Sequence, residues 1–304
     1  MAKESLLVKV LKYVGLALVV VNGTFPLVWM MLTSLKRERE LVRTPITYLP
    51  HEPTLDNYVQ VFQALPFARF LLNSTVISIS ATLLCVLFAA LAGYALGRLR
   101  MPFRKTILTG IVMTSMFPAL VLLVPLYRLF VGFEIPLLSA VFGVIHDLGL
   151  TFFPPAFETP NILNSYPALI IPYIALSLPI ATLILTTFFQ LIPQDLESAA
   201  LVDGCTRTQA LFSIIAPVSA PGIVTAAIIV FVNSWNEFLL ALTFNTSLHM
   251  RTVPVGITLY QGEFAFPWAL ISAAITIGVL PLVVIIIFFQ QRIISGLTAG
   301  GVKG

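Results

Sequence analysis

The chain has 304 residues, of which 58% are hydrophobic and only 10% charged, with a formal net charge of +4. A soluble domain carries roughly 25% charged residues, so this composition excludes a protein bathed in water on all sides. The small positive charge argues against nucleic acid as a partner and suits loops whose Lys and Arg set membrane topology.

Lys3, Lys9 and Lys12 precede an apolar run from Val14 to Leu32. The run is too long for the apolar core of a signal peptide and no small-residue cleavage site follows it, so it reads as a retained first span. A span needs about 20 mostly apolar residues, and six segments qualify: Leu11–Thr33, Leu71–Leu96, Thr106–Tyr127, Ala168–Phe189, Gly222–Phe244 and Phe266–Gln290. Pro26, Pro118, Pro125, Pro172, Pro179 and Pro281 fall within them. In a bundle, neighbouring helices satisfy the carbonyls that proline frees, so these residues mark kinks.

With the amino terminus inside, ten Lys and Arg lie on the cytoplasmic side and seven outside. The tight loop Arg98-Leu-Arg-Met-Pro-Phe-Arg-Lys105 is the best single indicator of that orientation. The fold predicted is therefore all-α: a polytopic bundle of six transmembrane helices, both termini cytoplasmic, forming a single transmembrane domain over 1–304. Outside, residues 55–62 read as a short amphipathic helix at the membrane surface. Residues 128–165, rich in Pro and Phe and including Glu134 and Glu158, are too apolar for a flexible linker and are expected to pack or to lie at the interface. A third outer loop, 245–265, contains Tyr260-Gln-Gly-Glu263.

The most informative stretch is cytoplasmic and runs from residue 192 to 217. Asp195 is expected to cap a helix, Gly204 to end it in the left-handed conformation, and Thr206 with Gln209 to form a capping box for a second helix. Ala199, Ala200 and Gly204 give a small-residue face, and Leu201, Val202, Leu211 and Phe212 supply apolar contacts. An amphipathic loop resting on the bilayer is the plainer alternative.

This stretch resembles the "EAA" coupling loop of ATP-binding-cassette (ABC) importers, in which Glu-Ala-Ala is followed at fixed spacing by Gly, Ile and Leu-Pro. Ala199, Ala200, Asp203, Gly204, Ile214 and Pro217 fall on that spacing, and Asp203-Gly204 is similar to the carbohydrate-importing branch. Two positions depart from it. Ser198 occupies the motif's Glu position with Glu197 one place earlier, and Ala216 replaces the Leu. A shift of one residue turns a side chain by about 100° around a helix. The resemblance continues through Phe25–Lys36, Thr54–Tyr58, Leu72–Ser74, Met116–Pro118, Val124–Tyr127, Trp235–Phe238 and Thr252–Gly256, and the ending Gly296–Gly304 is similar to that of the second permease of maltose-type importers.

The resemblance implies a permease subunit that forms half of a translocation path in the bacterial inner membrane. It implies a second permease as heterodimer partner, two ATPase subunits, an extracytoplasmic binding protein that contacts 245–265, and a sugar or polyol as substrate. The coupling residues implied are Glu197, Ser198, Ala199, Ala200, Asp203, Gly204, Ile214 and Pro217, and the tail 297–304 is assigned to the ATPase dimer. The chain carries no G-x-x-x-x-G-K-[ST] phosphate loop, so ATP and Mg belong to the partner ATPase, and no cofactor, metal or catalytic residue is expected here. Glu237 is the only acid within a predicted span. A charge there must face the bundle interior, a water-filled path or a partner group. Trp235, Asn236 and Glu237 therefore either border the path or form a polar clamp between helices. The rival classes are an integral-membrane lipid-modifying enzyme, for which His51, His146 and His249 offer only the adjacent pair His146-Asp147, a pattern that usually marks a solvated loop, and a passive channel or anchor, which does not account for the cytoplasmic helix–turn–helix.

Overall fold

A computed structural model describes residues 6–132, 136–150, 152, 160–262 and 266–299. All regular structure among them is helical: α1 (Leu6–Ser34), α2 (Glu38–Leu41), α3 (Asp56–Ala64), α4 (Phe67–Arg98), α5 (Arg104–Ser115), α6 (Ala119–Val131), α7 (Pro136–Asp147), α8 (Pro167–Leu191), α9 (Gln194–Val202), α10 (Arg207–Ala210), a π-turn at Leu211–Ile215, α11 (Ala216–Val218), α12 (Ala220–Asn236), α13 (Leu239–Phe244), a 3-10 turn at Leu248–Met250, α14 (Val253–Thr258) and α15 (Trp268–Ala299). The expectations for Glu134, Glu158, Glu263 and the tail beyond Ala299 lie outside the described residues.

Four helices are long and apolar enough to cross a membrane alone: those at Leu7–Ser34, Phe67–Arg98, Pro167–Leu191 and Trp268–Gln290. Two more crossings arise if bent pairs count as one span, α5 with α6 at 88° and the Arg207–Val218 segment with α12 at 85°. Two predicted spans are thus more broken than expected. Thr106–Tyr127 is not one kinked helix, because α5 ends at Ser115 and Pro118 is extended (ψ 133°) before α6. Gly222–Phe244 is interrupted after Asn236, where Glu237 is extended (ψ 129°) and a new helix starts at Leu239. Pro26, Pro125, Pro172, Pro179 and Pro281 all lie inside helices.

The chain divides into two compact units. The first comprises residues 1–68 and 256–280. None of the apolar window of α1 is buried, as suits a helix that is hydrophobic all round and faces lipid or other chains. Its last turn is finished by α3: Asn57 Nδ2 donates to the carbonyls of Ser34 and Lys36, both at 2.8 Å, and Ser34 Oγ meets the Tyr58 hydroxyl at 2.7 Å. Those carbonyls have no partner within the helix itself. The predicted surface helix is therefore present, but Asn57 and Val61 turn one of its faces into the unit, and Tyr260 donates to the Val61 carbonyl at 2.6 Å. Lys36 is buried, its Nζ donating to the Thr47 carbonyl and standing 5.0 Å from the Trp29 ring centre. Glu38 caps α15 from a distance, accepting from the N–H groups of Trp268 and Ala269 at 3.1 Å each. A carboxylate at a helix start is favoured by the unpaired N–H groups there.

The second unit comprises residues 69–255 and 281–304. Its cores form where α4, α8 and α12 converge, around Cys85, Ala89, Leu185, Phe189 and Val230, and towards the other end around Ile77, Leu169, Leu240 and Phe244. Two glycines permit the approach of α4 to α8. A Cβ on Gly93 would lie 3.0 Å from the Thr186 nitrogen, and one on Gly97 would lie 3.2 Å from the Thr186 carbonyl oxygen. Small residues four apart let backbones meet in this way. Asn73 holds the loop after α13, donating to the carbonyls of His249 and Arg251 at 2.8 and 2.9 Å. Of the semi-apolar stretch 128–165, Phe130, Ile162 and Leu163 pack on this core, as expected for a segment that is not a linker.

The candidate coupling elbow and the break at Glu237

The cytoplasmic stretch folds as two short helices around a turn. The first, α9, is preceded by Pro193 in an extended conformation (φ −54°, ψ 139°) with no side-chain cap. The expectation that Asp195 caps it is corrected: Asp195 lies one residue inside the helix, in the first turn. There its charge still complements the helix start, while proline, which has no N–H to satisfy, takes the boundary. The far end is as predicted. Gly204 has φ +91°, its N–H reaches the Leu201 carbonyl at 3.2 Å, and the Cys205 N–H reaches the Ala200 carbonyl at 3.0 Å. This is the paired closure that a left-handed glycine allows. Thr206 then starts α10 with a complete capping box, its N–H donating to Gln209 Oε1 at 2.8 Å and its Oγ1 accepting from Gln209 N at 3.3 Å. Leu211 and Ile215 in the π-turn bury completely against the core.

The motif residues divide between two faces. Glu197 and Ala200 are buried, Ile214 is half-buried, and Ser198, Ala199, Asp203, Gly204 and Pro217 are exposed. Of the predicted apolar contacts only Leu211 is buried; Leu201, Val202 and Phe212 are exposed, with Val202 at 87%. A Cβ added at Gly204 meets nothing within 4 Å. The exposed face is thus open at Gly204.

Glu197 faces the bundle. Its Oε1 accepts from the Tyr94 hydroxyl at 2.5 Å and lies 3.7 Å from Arg207 Nη1. Its Oε2 lies 3.1 Å from Arg98 Nε, a charge contact without hydrogen-bond alignment. Sequence reading missed Tyr94 and Arg98 as members of this cluster. The available signal is an arginine closing an apolar span.

The second candidate group sits where α12 breaks. Glu237 Oε1 accepts from the Leu240 N–H at 2.8 Å, and Oε2 from the Ala241 N–H at 3.1 Å and the Tyr173 hydroxyl at 2.7 Å. The carboxylate therefore caps α13 and ties it to α8. Beside it is a cavity of about 120 Å³ lined by Tyr173, Leu176, Ser177, Asn233, Ser234 and Glu237. Trp235 is buried and stacks on Phe231 at 5.6 Å, and Asn236 is exposed. Neither lines that cavity, so the structure separates Glu237 from its two sequence neighbours. Among the described residues no group of His, Cys, Asp or Glu is arranged to hold a metal.

The described residues thus form an apolar helical bundle with broken candidate crossings and an elbow closed at Gly204 and restarted at Thr206. Residues 86–298 match the family of binding-protein-dependent transport system inner membrane components, and the chain belongs to that family. It is 48% identical over 296 residues to the sulfoquinovosyl glycerol transport system permease protein of Agrobacterium fabrum, covering 97% of this chain and 94% of that relative. It is 36% identical over 305 residues to the trehalose/maltose transport system permease protein of Thermococcus litoralis, covering 99% of each. A chain of a crystallised bacterial ABC transporter involved in import of the acidic polysaccharide alginate has the same fold, with a TM-score of 0.75 at 16% identity over 96% of this chain and 99% of that one. The protein is accordingly a multi-pass inner-membrane permease subunit of a binding-protein-dependent importer, and not an enzyme.

Proposed function

We propose that the chain forms half of the translocation path for a sugar or related polyol, paired with a second permease subunit. Two ATPase subunits, which carry ATP and Mg, drive it from the cytoplasm, and an extracytoplasmic protein delivers the substrate. The naming of relatives for sulfoquinovosyl glycerol and for trehalose and maltose supports a glycosidic substrate. A related fold occurs in an alginate transporter crystallised with a pentasaccharide-bound periplasmic protein, at a TM-score of 0.65, which supports the delivery partner. In this reading six crossings leave both termini in the cytoplasm. The elbow at 192–217 seats in an ATPase through Ser198, Ala199, Asp203, Gly204 and Pro217, with Ile214 and Ala200 beneath. Glu197 holds the elbow from within. Trp235, Asn236 and Glu237 border the path, the loop 245–265 meets the binding protein, and the tail 297–304 reaches the ATPase pair. ATP closes the ATPases, and the elbow carries that movement into the bundle, shifting the population between inward-open and outward-open states.

The observation that carries this is the elbow itself: closed at Gly204, started again at Thr206, and exposing small side chains where a partner can approach. The test is co-purification of the chain with an ATPase subunit, followed by ATP hydrolysis in vesicles with and without sugar-loaded binding protein. Stimulation by the loaded protein supports the proposal. A purified, folded chain that captures no ATPase, or a complex whose hydrolysis ignores the sugar, overturns it.

A further inference from the structure

We infer that Arg98 is the fulcrum through which the elbow moves the bundle, positioning α9 rigidly against α4 and α8. The inference rests on the reading of 192–217 as the ATPase-docking elbow. Only two residues, Ile192 and Pro193, join α8 to α9, and both are extended, with ψ of 133° and 139°. Left alone, such a joint would let α9 swing without moving anything behind it. Arg98 closes the joint. As the last residue of α4, it donates from Nη1 to the Ile192 carbonyl at 2.6 Å and from Nη2 to the Pro193 carbonyl at 3.1 Å. The same guanidinium presents Nε to Glu197 on α9 at 3.1 Å. Its planar fork suits several acceptors held at once, which an ammonium cannot match.

The joint is dry. The Arg98 side chain is 3% exposed and that of Glu197 10%. Tyr94, one turn earlier on the same face of α4, takes the other carboxylate oxygen. Separating a buried pair strands a desolvated charge, so the contact stays shut while the elbow moves. Behind it, the glycine approach of α4 to α8 at Gly93 and Gly97 makes the two helices one body. Arg207 lies on the far limb of the elbow, 59% exposed and 3.7 Å from Glu197, and is the looser member. In this chain Glu197, one residue before the motif's Glu position, therefore faces the subunit's own interior, and Ser198, at that position, faces outward.

The experiment uses the complete transporter reconstituted in vesicles with its binding protein, and reads substrate imported per ATP hydrolysed. Val202→Cys, exposed on the elbow and outside the proposed docking residues, reports docking in every sample by cross-linking to a cysteine placed on the ATPase. Arg98→Gln is expected to assemble and cross-link while import per ATP falls about tenfold. Arg98→Lys should fall less. The pair Arg98→Gln/Glu197→Gln should regain thermal stability, since no buried charge is left single, yet stay uncoupled because the two carbonyls remain unclamped. An unchanged ratio in Arg98→Gln with cross-linking intact overturns this inference alone. A ratio that stays constant while import and hydrolysis fall together also overturns it, because the pair then only holds the fold. Absence of cross-linking in the parent Val202→Cys complex overturns the docking reading with it.

Discussion

A methyl group on Gly93 would stand 3.0 Å from the backbone nitrogen of Thr186 and 3.1 Å from Cβ of Leu185. The neighbours are backbone and the base of a side chain, neither of which can swing aside. Gly93→Val should therefore push α4 off α8 and lower stability by about 1–3 kcal/mol, the usual cost of overpacking. Thermal unfolding of the detergent-purified chain measures it. A melting temperature equal to that of the parent would show that the two helices part without cost.

Gly204 separates backbone strain from partner contact. Its φ of +91° penalises any side chain, while the space around it is open. Gly204→Ala should cost about 1–2 kcal/mol from conformation alone and keep most uptake. Gly204→Trp should leave membrane insertion intact and abolish uptake, because the bulk meets the docking partner. Membrane yield and transport assays on the two variants check this, and normal transport by the tryptophan variant would remove the elbow from the docking surface.

Glu237 accepts three hydrogen bonds, two of them from the backbone that opens α13. Glu237→Ala orphans all three donors and should destabilise by about 1–3 kcal/mol. Glu237→Gln, which keeps the shape, should cost less, and Tyr173→Phe least. The ranking is read by thermal unfolding. An alanine variant as stable as the parent would mean that the carboxylate is not a clamp.

Burial pushes the Glu40 carboxyl up, but the His51 N–H, the Thr47 hydroxyl and the charges of His51 and Lys36 outweigh it and hold the group below the usual carboxylate range. A folded value below the unfolded one stabilises the fold above the unfolded value of about 4.3 and loses that contribution as pH falls through the folded value. Glu40→Gln should therefore melt below the parent at neutral pH, with the gap narrowing on acidification. Parallel melting curves at every pH would contradict the assignment.

The parts of the fold legible in the sequence were those set by local chemistry. Apolar runs located the four helices long enough to cross alone, and Gly204, Thr206 and Gln209 specified the elbow, because a left-handed glycine and a capping box need only their own neighbours. What was not legible depends on groups distant in the chain. Hydropathy passes through the break after Asn236 without a mark, and only the packing of Tyr173 against Glu237 reveals why a carboxylate belongs there. Asp195 lost its expected role to Pro193 for a local reason that propensity alone did not weigh. The two buried partners of Glu197 come from α4, about a hundred residues earlier, and no spacing rule connects them.

No residue in the apolar window of the first helix is buried among the described residues. Replacing one aliphatic residue by another there, Leu16 or Val20 for instance, leaves the subunit's own interior untouched. What such a segment must preserve is reach and greasiness: at 29 residues and about 1.5 Å each, it is a ruler for bilayer thickness, and shortening it by a turn matters more than rewriting it.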